Sequence, residues 1–208
     1  MHGTALESPP LRRRCWLREQ SFKQPALPFV VDIGSAKGTA SSTLAELNPQ
    51  QNVLGLEIRR PMVTLAMQRK QAKGLENLHY LASNVNIDLD RILTDIHKES
   101  HVDLVTIHFP DPHFKKKNAK RRIVTPQLVQ TMARHLRPGT LVSMRSDVIE
   151  VLEEMHEFFK TSGAFNFAGE DDKDFAKNSP VPAVKTEREI VTEAKGAPVY
   201  RTLFKRSS

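Results

Sequence analysis

The chain has 208 residues, 39% of them hydrophobic and 26% charged, enough for one domain with a full core and too few for two ordinary ones. That mixture excludes a disordered polymer, and no uninterrupted apolar run approaches the roughly 18 residues of a membrane span. Cys15 is the only cysteine, which rules out an intramolecular disulfide and a multi-cysteine zinc site and fits a reducing compartment. Thirty-one Lys and Arg against 24 Asp and Glu leave a net charge of +7. Such a balance suits a polyanionic partner, because cations that neutralise phosphates release condensed counterions.

Residues 1–27 read as a flexible basic arm, with Arg12, Arg13, Arg14 and Arg18 among Pro9, Pro10 and Pro25 and no sustained periodicity. An organelle transit peptide is a second reading of an Arg-rich arm, although Glu7 and Glu19 count against it. One domain is expected over residues 28–208. Leu27 to Ile33 is a short apolar run that ends in a glycine turn and predicts a buried strand. A helix is predicted from Thr39 to Leu47, closed by Asn48-Pro49, and a second strand from Asn52 to Glu57. Pro61 sits near the first turn of the next helix, where its missing N–H costs nothing, and Lys73-Gly74 stops it.

Leu78 to Ala82 predicts a third strand, Ile87 to Thr94 a short helix, and Val102 to Phe109 a fourth strand dense in Val, Leu, Ile and Phe. Thr125-Pro126 opens a helix that ends at Arg137-Pro138-Gly139, followed by a strand from Thr140 to Met144 and an amphipathic helix from Val148 to Lys160. Ala164 to Phe167 and Pro198 to Phe204 supply the last two strands. Strands alternating with single helices imply right-handed crossovers and a mainly parallel α/β sheet flanked by helices on both faces. Ligands of such sheets bind beyond the carboxyl ends of the strands. That rule points to Gly34 to Gly38, Glu57, Ser83-Asn84, Pro110-Asp111 and Ser146-Asp147.

The loop Asp32-Ile33-Gly34-Ser35-Ala36-Lys37-Gly38 joins the first strand to the first helix. Its glycines let backbone approach a ligand, although Ala36 stands where the dinucleotide fingerprint has its middle glycine, which weakens a pyrophosphate reading. Glu57 ends the second strand about twenty residues further on, where a carboxylate can accept both hydroxyls of a ribose, the alternative being a surface Glu paired with Arg59 or Arg60. Together they indicate an adenosine-type cofactor without separating S-adenosylmethionine from NAD. The stretch Phe109 to Arg122 follows the fourth strand directly: Pro110 and Pro112 hold Asp111 in a rigid turn, and six cations lie among the next eleven residues. Elsewhere such a run would be solvated surface, but beside Asp111 it reads as a phosphate-steering face around a reacting centre.

With Phe109-Pro110-Asp111-Pro112, Lys115 and the cluster Lys120-Arg121-Arg122, residues 28–205 closely resemble the bacterial-type tRNA (guanine-N7-)-methyltransferase family. Gly55 to Arg59, Ser146-Asp147 and Thr186-Glu187-Arg188-Glu189 support the resemblance. It implies a Rossmann-like, seven-stranded class I methyltransferase fold with S-adenosyl-L-methionine over the ends of the first strands. By position it assigns Asp32, Gly34, Gly38, Glu57, Asn84 and Asp111 to the cofactor, with Asp111 also catalytic. It assigns Lys115, Asp147 and Thr186, Glu187, Arg188 and Glu189 to substrate; Lys120, Arg121 and Arg122 are further substrate-binding candidates, and Lys115 and Arg121 are expected to fix phosphates. Three features depart from the family pattern: His113-Phe114 replaces a Trp-containing pair, Asn84 stands where many members carry Asp, and the arm lacks an Arg-Val-Arg lead.

The implied reaction moves the sulfonium methyl to N7 of a guanine in the variable loop of tRNA. N7 already has a free lone pair, so Asp111 is expected to orient the base and stabilise the developing cation, not to act as a general base. The implied partner is tRNA, with no membrane and no obligate protein partner, for a monomer or homodimer. The implied compartment is the cytoplasm, a chloroplast or other organelle being the alternative. No metal is expected, because His79, His97 and His101 are scattered, and Ser35 and Ser146 lack a histidine partner for nucleophilic catalysis. The rival readings are a non-catalytic RNA-binding subunit, an NAD-dependent oxidoreductase, and a methyltransferase acting on another RNA or a small molecule. Retention of Asp32, Glu57 and Asp111 opposes the first, and the missing middle glycine opposes the second.

Overall fold

The computed structural model of the chain describes residues 21–112, 122–168 and 184–208. Five βα pairs come first: β1 (Phe29–Ile33), α1 (Thr39–Leu47), β2 (Asn52–Glu57), α2 (Arg60–Lys73), β3 (Leu78–Ala82), α3 (Val85–Ile96), β4 (Val102–His108), α4 (Pro126–His135), β5 (Leu141–Ser146) and α5 (Ile149–Thr161). Then come β6 (Phe165–Phe167), α6 (Glu187–Ala194) and β7 (Tyr200–Arg206). The strands form one seven-stranded sheet in the order β3-β2-β1-β4-β5-β7-β6. β1 to β5 pair in parallel, while β7 lies antiparallel between β5 and β6.

Every residue of β1 and β2 is buried, as strands covered on both faces require. Alternation divides the core accordingly: Val31 and Ile33 pack with Leu56, Ile92, Ile107, Val129 and Phe159 on one face. Val30 packs on the other with Leu44, Val53, Ala66, Leu78 and Leu203. Helix ends follow local chemistry. Thr125 caps α4 by accepting from the Leu128 N–H at 3.1 Å, with Pro126 in the first turn. Asn84 caps α3 by accepting from the Asn86 N–H at 3.1 Å, so this helix starts two residues earlier than the apolar pattern predicts. No helix among the described residues is long and apolar enough to cross a membrane.

Two glycines make room for one ring. The Tyr80 hydroxyl donates to the Gly38 carbonyl at 3.0 Å. A Cβ on Gly38, whose φ is +75°, would lie 2.2 Å from that hydroxyl, and a Cβ on Gly55 would lie 2.3 Å from the ring. Gly55 therefore interrupts an otherwise β-forming run because another side chain passes over its backbone. Through Tyr80, β3 is locked against β2 and the start of α1, beneath the loop that follows β1.

The structure differs from the sequence expectations at both ends of the domain. The arm expected through residue 27 is already part of the fold at residue 21: Ser21 and Phe22 are buried, and the Phe22 ring meets Phe29 edge-on at 5.0 Å. Asn52 secures this segment by donating to the Gln24 carbonyl at 2.8 Å. Residues 1–20 lie outside the described residues. Near the other end, α6 is an element that the apolar periodicity does not announce. Thr186 caps it by accepting from the Glu189 N–H at 3.1 Å. The Glu189 carboxylate, 1% exposed, accepts from Arg145 of β5 at 2.8 Å and from Arg201 of β7 at 2.6 Å. Arg145 also donates to the Val184 carbonyl at 3.0 Å, so one buried network fixes both the approach to α6 and its first turn.

Two measurements check this packing. Gly55→Ala is expected to lower unfolding stability by about 1–3 kcal/mol, read from the urea midpoint, because the Tyr80 ring must move; an unchanged midpoint would contradict the close approach. Glu189→Ala leaves Arg145 buried without its carboxylate and is expected to cost about 3–5 kcal/mol in the same titration. A cost below about 1 kcal/mol would mean that the network does not hold the helix.

Candidate active site

The carboxyl ends of β1 to β4 open into a cleft of about 440 Å³, bordered by Gly34, Glu57, Ile58, Arg59, Ser83, Asn84, Asn86 and Asp111. A smaller cleft of about 200 Å³ lies between the loop after β1 and Thr186, Glu187 and Arg188. Gly34, Arg59, His108 and Phe109 border both clefts, so these four form the partition.

The loop is built on left-handed turns at Gly34, Ala36 and Gly38, with φ of 84°, 48° and 75°. At Ala36 this conformation carries a steric cost that a glycine would avoid. Glu57 offsets it: its Oε2 accepts from the Ala36 N–H at 3.0 Å. Oε1 of the same carboxylate accepts from the backbone N–H and the Nε of Arg59, at 2.9 and 3.0 Å. Glu57 is 5% exposed, and its hydrogen bonds and charge, with a weaker contribution from Asp111, raise the pKa of the Arg59 guanidinium. Arg59 thus rests on the carboxylate that the sequence assigns to a ribose.

Asp32 lies beneath the loop, 5% exposed, and borders the smaller cleft. Its two oxygens accept from Ser41 of α1 at 2.5 Å and from Thr106 of β4 at 2.7 Å. Burial raises its pKa, against the pull of these two hydrogen bonds. With both oxygens engaged, Asp32 ties α1 and β4 together under the loop. Asn84 borders the larger cleft but spends its amide oxygen on the α3 cap. Beside it, the Ser83 hydroxyl is buried with no partner, a polar group left for a ligand to satisfy.

Asp111 is exposed at the rim of the larger cleft. The turn that delivers it is strained: Phe109 adopts φ of 52°, an outlier for a bulky residue, and its N–H donates to the Arg145 carbonyl at 2.7 Å. Across the smaller cleft, Glu187 accepts from Thr39 at 2.7 Å, with Lys37 at 3.7 Å and Arg69 at 3.9 Å. The Thr39 bond foremost, then the two cations, lowers its pKa against burial. Arg188 donates through Nε and Nη2 to Asp147 at 2.8 and 2.6 Å, so two residues assigned to substrate face each other.

The structure therefore gathers Gly34, Glu57, Asn84 and Asp111 around one cleft, and Asp32, Thr186, Glu187 and Arg188 around its neighbour. Gly38 supports the loop through Tyr80. One assignment needs correction: Glu189 is fully engaged by Arg145 and Arg201, so it positions the preceding residues and does not present its carboxylate to substrate. Arg122 is partly exposed and pairs through Nη1 with Glu154 of α5. Lys115, Lys120, Arg121 and the His113-Phe114 pair lie outside the described residues. The sequence reading misses Asn86 and His108, and gives Ser83 and Arg59 no role in the site. Asn86 anchors the chain that returns from the basic segment, donating to the carbonyls of Arg122 and Ile123 at 3.3 and 3.0 Å.

The family model described as "Putative methyltransferase" matches residues 26–202. The chain is 45% identical to the tRNA (guanine-N(7)-)-methyltransferase of Thermosynechococcus vestitus, over 89% of this chain and 83% of that one. It is 42% identical to that of Trichormus variabilis, over 91% and 86%. Among solved structures, an rRNA methylase from Streptococcus thermophilus aligns at a TM-score of 0.54 and 13% identity, covering 88% of this chain and 89% of that one. A SAM-dependent methyltransferase from Aquifex aeolicus aligns at 0.54 and 12%, covering 86% and 82%. These two likenesses establish the Rossmann-like methyltransferase fold. The extent and identity of the sequence matches go further, and the chain belongs to the tRNA (guanine-N(7)-)-methyltransferase family.

Proposed function

We propose that this protein transfers the methyl group of S-adenosylmethionine to N7 of a guanine in the variable loop of tRNA, with the cofactor across the carboxyl ends of β1 to β3 and Asp111 beside the reacting atoms. The observation that carries the reading is that a strained turn delivers Asp111 to the same cleft as Glu57. The larger cleft has the volume of a site for a ligand of this size. Glu57 is placed to accept from the ribose hydroxyls once Arg59 yields part of its contact. The unpartnered Ser83 hydroxyl and the exposed Ile58 beside it offer a polar and an apolar contact to the adenine.

The cofactor, when bound, supplies an electrophilic methyl on a sulfonium. The protein's work is then positional and electrostatic. N7 needs no base to expose its lone pair, so alignment of base and methyl supplies much of the acceleration. The purine gains positive charge as the bond forms, and the Asp111 carboxylate stabilises that charge where it develops. Asp147 and Arg188 would hold the base or its phosphate by exchanging their mutual ion pair for contacts with RNA. Lys115, Lys120 and Arg121 add sequence-independent attraction for the tRNA backbone. The enzyme acts in the cytoplasm as a monomer or homodimer without an obligate protein partner, as the family resemblance supports.

The test is incubation of unmodified tRNA transcript with S-adenosylmethionine, followed by borohydride–aniline cleavage at 7-methylguanosine. One cleavage in the variable loop is expected, and Asp111→Ala should slow turnover by about 10²–10³ while S-adenosylhomocysteine binding persists. Absence of cleavage, or full turnover by the variant, would overturn the reading.

A further inference from the structure

His108 is the last residue of β4, immediately before the strained Phe109 turn, and it is one of the residues that border both clefts. Nε2 lies 3.3 Å from the hydroxyl of Ser143, a fully buried residue of β5. Nδ1 has no hydrogen-bond partner among the described residues. Burial foremost, then Arg145 and Arg201, push the imidazole pKa well below its usual value, so the ring is neutral at pH 7. A neutral imidazole carries one N–H and one lone pair. If the Ser143 hydroxyl donates to Nε2, the ring proton sits on Nδ1.

Transfer to N7 requires the N7/O6 edge of guanine to face the methyl donor. At this edge guanine shows two acceptors, whereas adenine shows N7 and an amino donor. The N7 lone pair forms the new N–C bond while the S–C pair returns to sulfur, so O6 is the group left there for the protein to read. Reading it takes a donor. Of the four partition residues only Arg59 and His108 carry side-chain donors, and the Arg59 guanidinium, held charged by Glu57, would set a full positive charge beside a base that itself becomes cationic.

We infer that His108 reads O6 of the target guanine, its Nδ1–H donating to that oxygen while Ser143 holds Nε2, and thereby selects guanine over adenine. No proton moves in this contact. A donor at O6 does not stabilise the cationic product, and a neutral one opposes it less than an imidazolium would. The contribution of His108 therefore lies in recognising and orienting the base, and it makes His108 a specificity residue beside Asp111.

The inference rests on the guanine-N7 reading above, and its test separates the two. Single-turnover methyl incorporation is measured on a transcript carrying guanosine at the mapped position, and on one carrying 2-aminopurine, which lacks O6. The wild-type protein should lose about tenfold or more on 2-aminopurine, the loss expected for one hydrogen bond. His108→Leu should lose a similar factor on guanosine and discriminate little between the two transcripts. His108→Asn, whose amide can donate, should recover part of the discrimination, and S-adenosylhomocysteine affinity should be unchanged in both variants. Equal losses by His108→Leu on both transcripts, or a parallel fall in cofactor affinity, would overturn the assignment while leaving wild-type methylation intact. Absence of wild-type methylation on every transcript would remove the underlying reading along with it.

Discussion

The Glu189 carboxylate, buried between Arg145 of β5 and Arg201 of β7, is the contact on which the substrate side of this enzyme depends. Two buried charges, Glu189 and Arg145, with the partly buried Arg201 beside them, are costly unless each finds partners of good geometry. Here they do: Glu189 takes one arginine on each oxygen, and Arg145 turns a further donor to the Val184 carbonyl. The consequence is positional. The chain returning toward β7 is pinned at Val184, capped at Thr186 and forced into α6 beside the sheet. Its first turn then faces the loop after β1, and Glu187 closes the gap by accepting from Thr39.

A second constraint acts from the cofactor side. The loop after β1 needs three left-handed residues, and only two of them are glycine. Glu57 holds the third, Ala36, through its backbone N–H. The same carboxylate thus shapes the loop and faces the larger cleft, paired with Arg59. In the proposed function this one side chain would couple cofactor binding to loop geometry.

Most of the sheet was legible in the sequence because parallel central strands write themselves as continuous apolar runs. β1 to β5 and their helices fall close to their predicted bounds, and the rule that ligands gather at strand ends finds Glu57 and Asp111. α6 was not legible from hydrophobic pattern, because what it buries is a glutamate and a threonine, while Ile190 and Val191 stay about half exposed. A different signal was present. Thr186-Glu187-Arg188-Glu189 has the form of a capping box and marks a helix start, although Glu189 turns to two arginines instead of to the backbone of Thr186. Ser21 and Phe22 were misplaced in the arm because two buried residues carry no period. His108 escaped for another reason: its place follows from which strand ends meet across the clefts, and no local spacing encodes that.

The most direct test of the account is calorimetric titration of S-adenosylhomocysteine into the wild-type protein and Glu57→Gln, with matched thermal unfolding. If the carboxylate at the end of β2 anchors the cofactor, the variant keeps its melting temperature within a few degrees and loses about tenfold or more in affinity, as for a hydrogen bond to a charged group. Equal affinity in the two proteins would contradict the account, because Glu57 would then serve only to brace Ala36 and Arg59, and the cofactor would have to be held elsewhere.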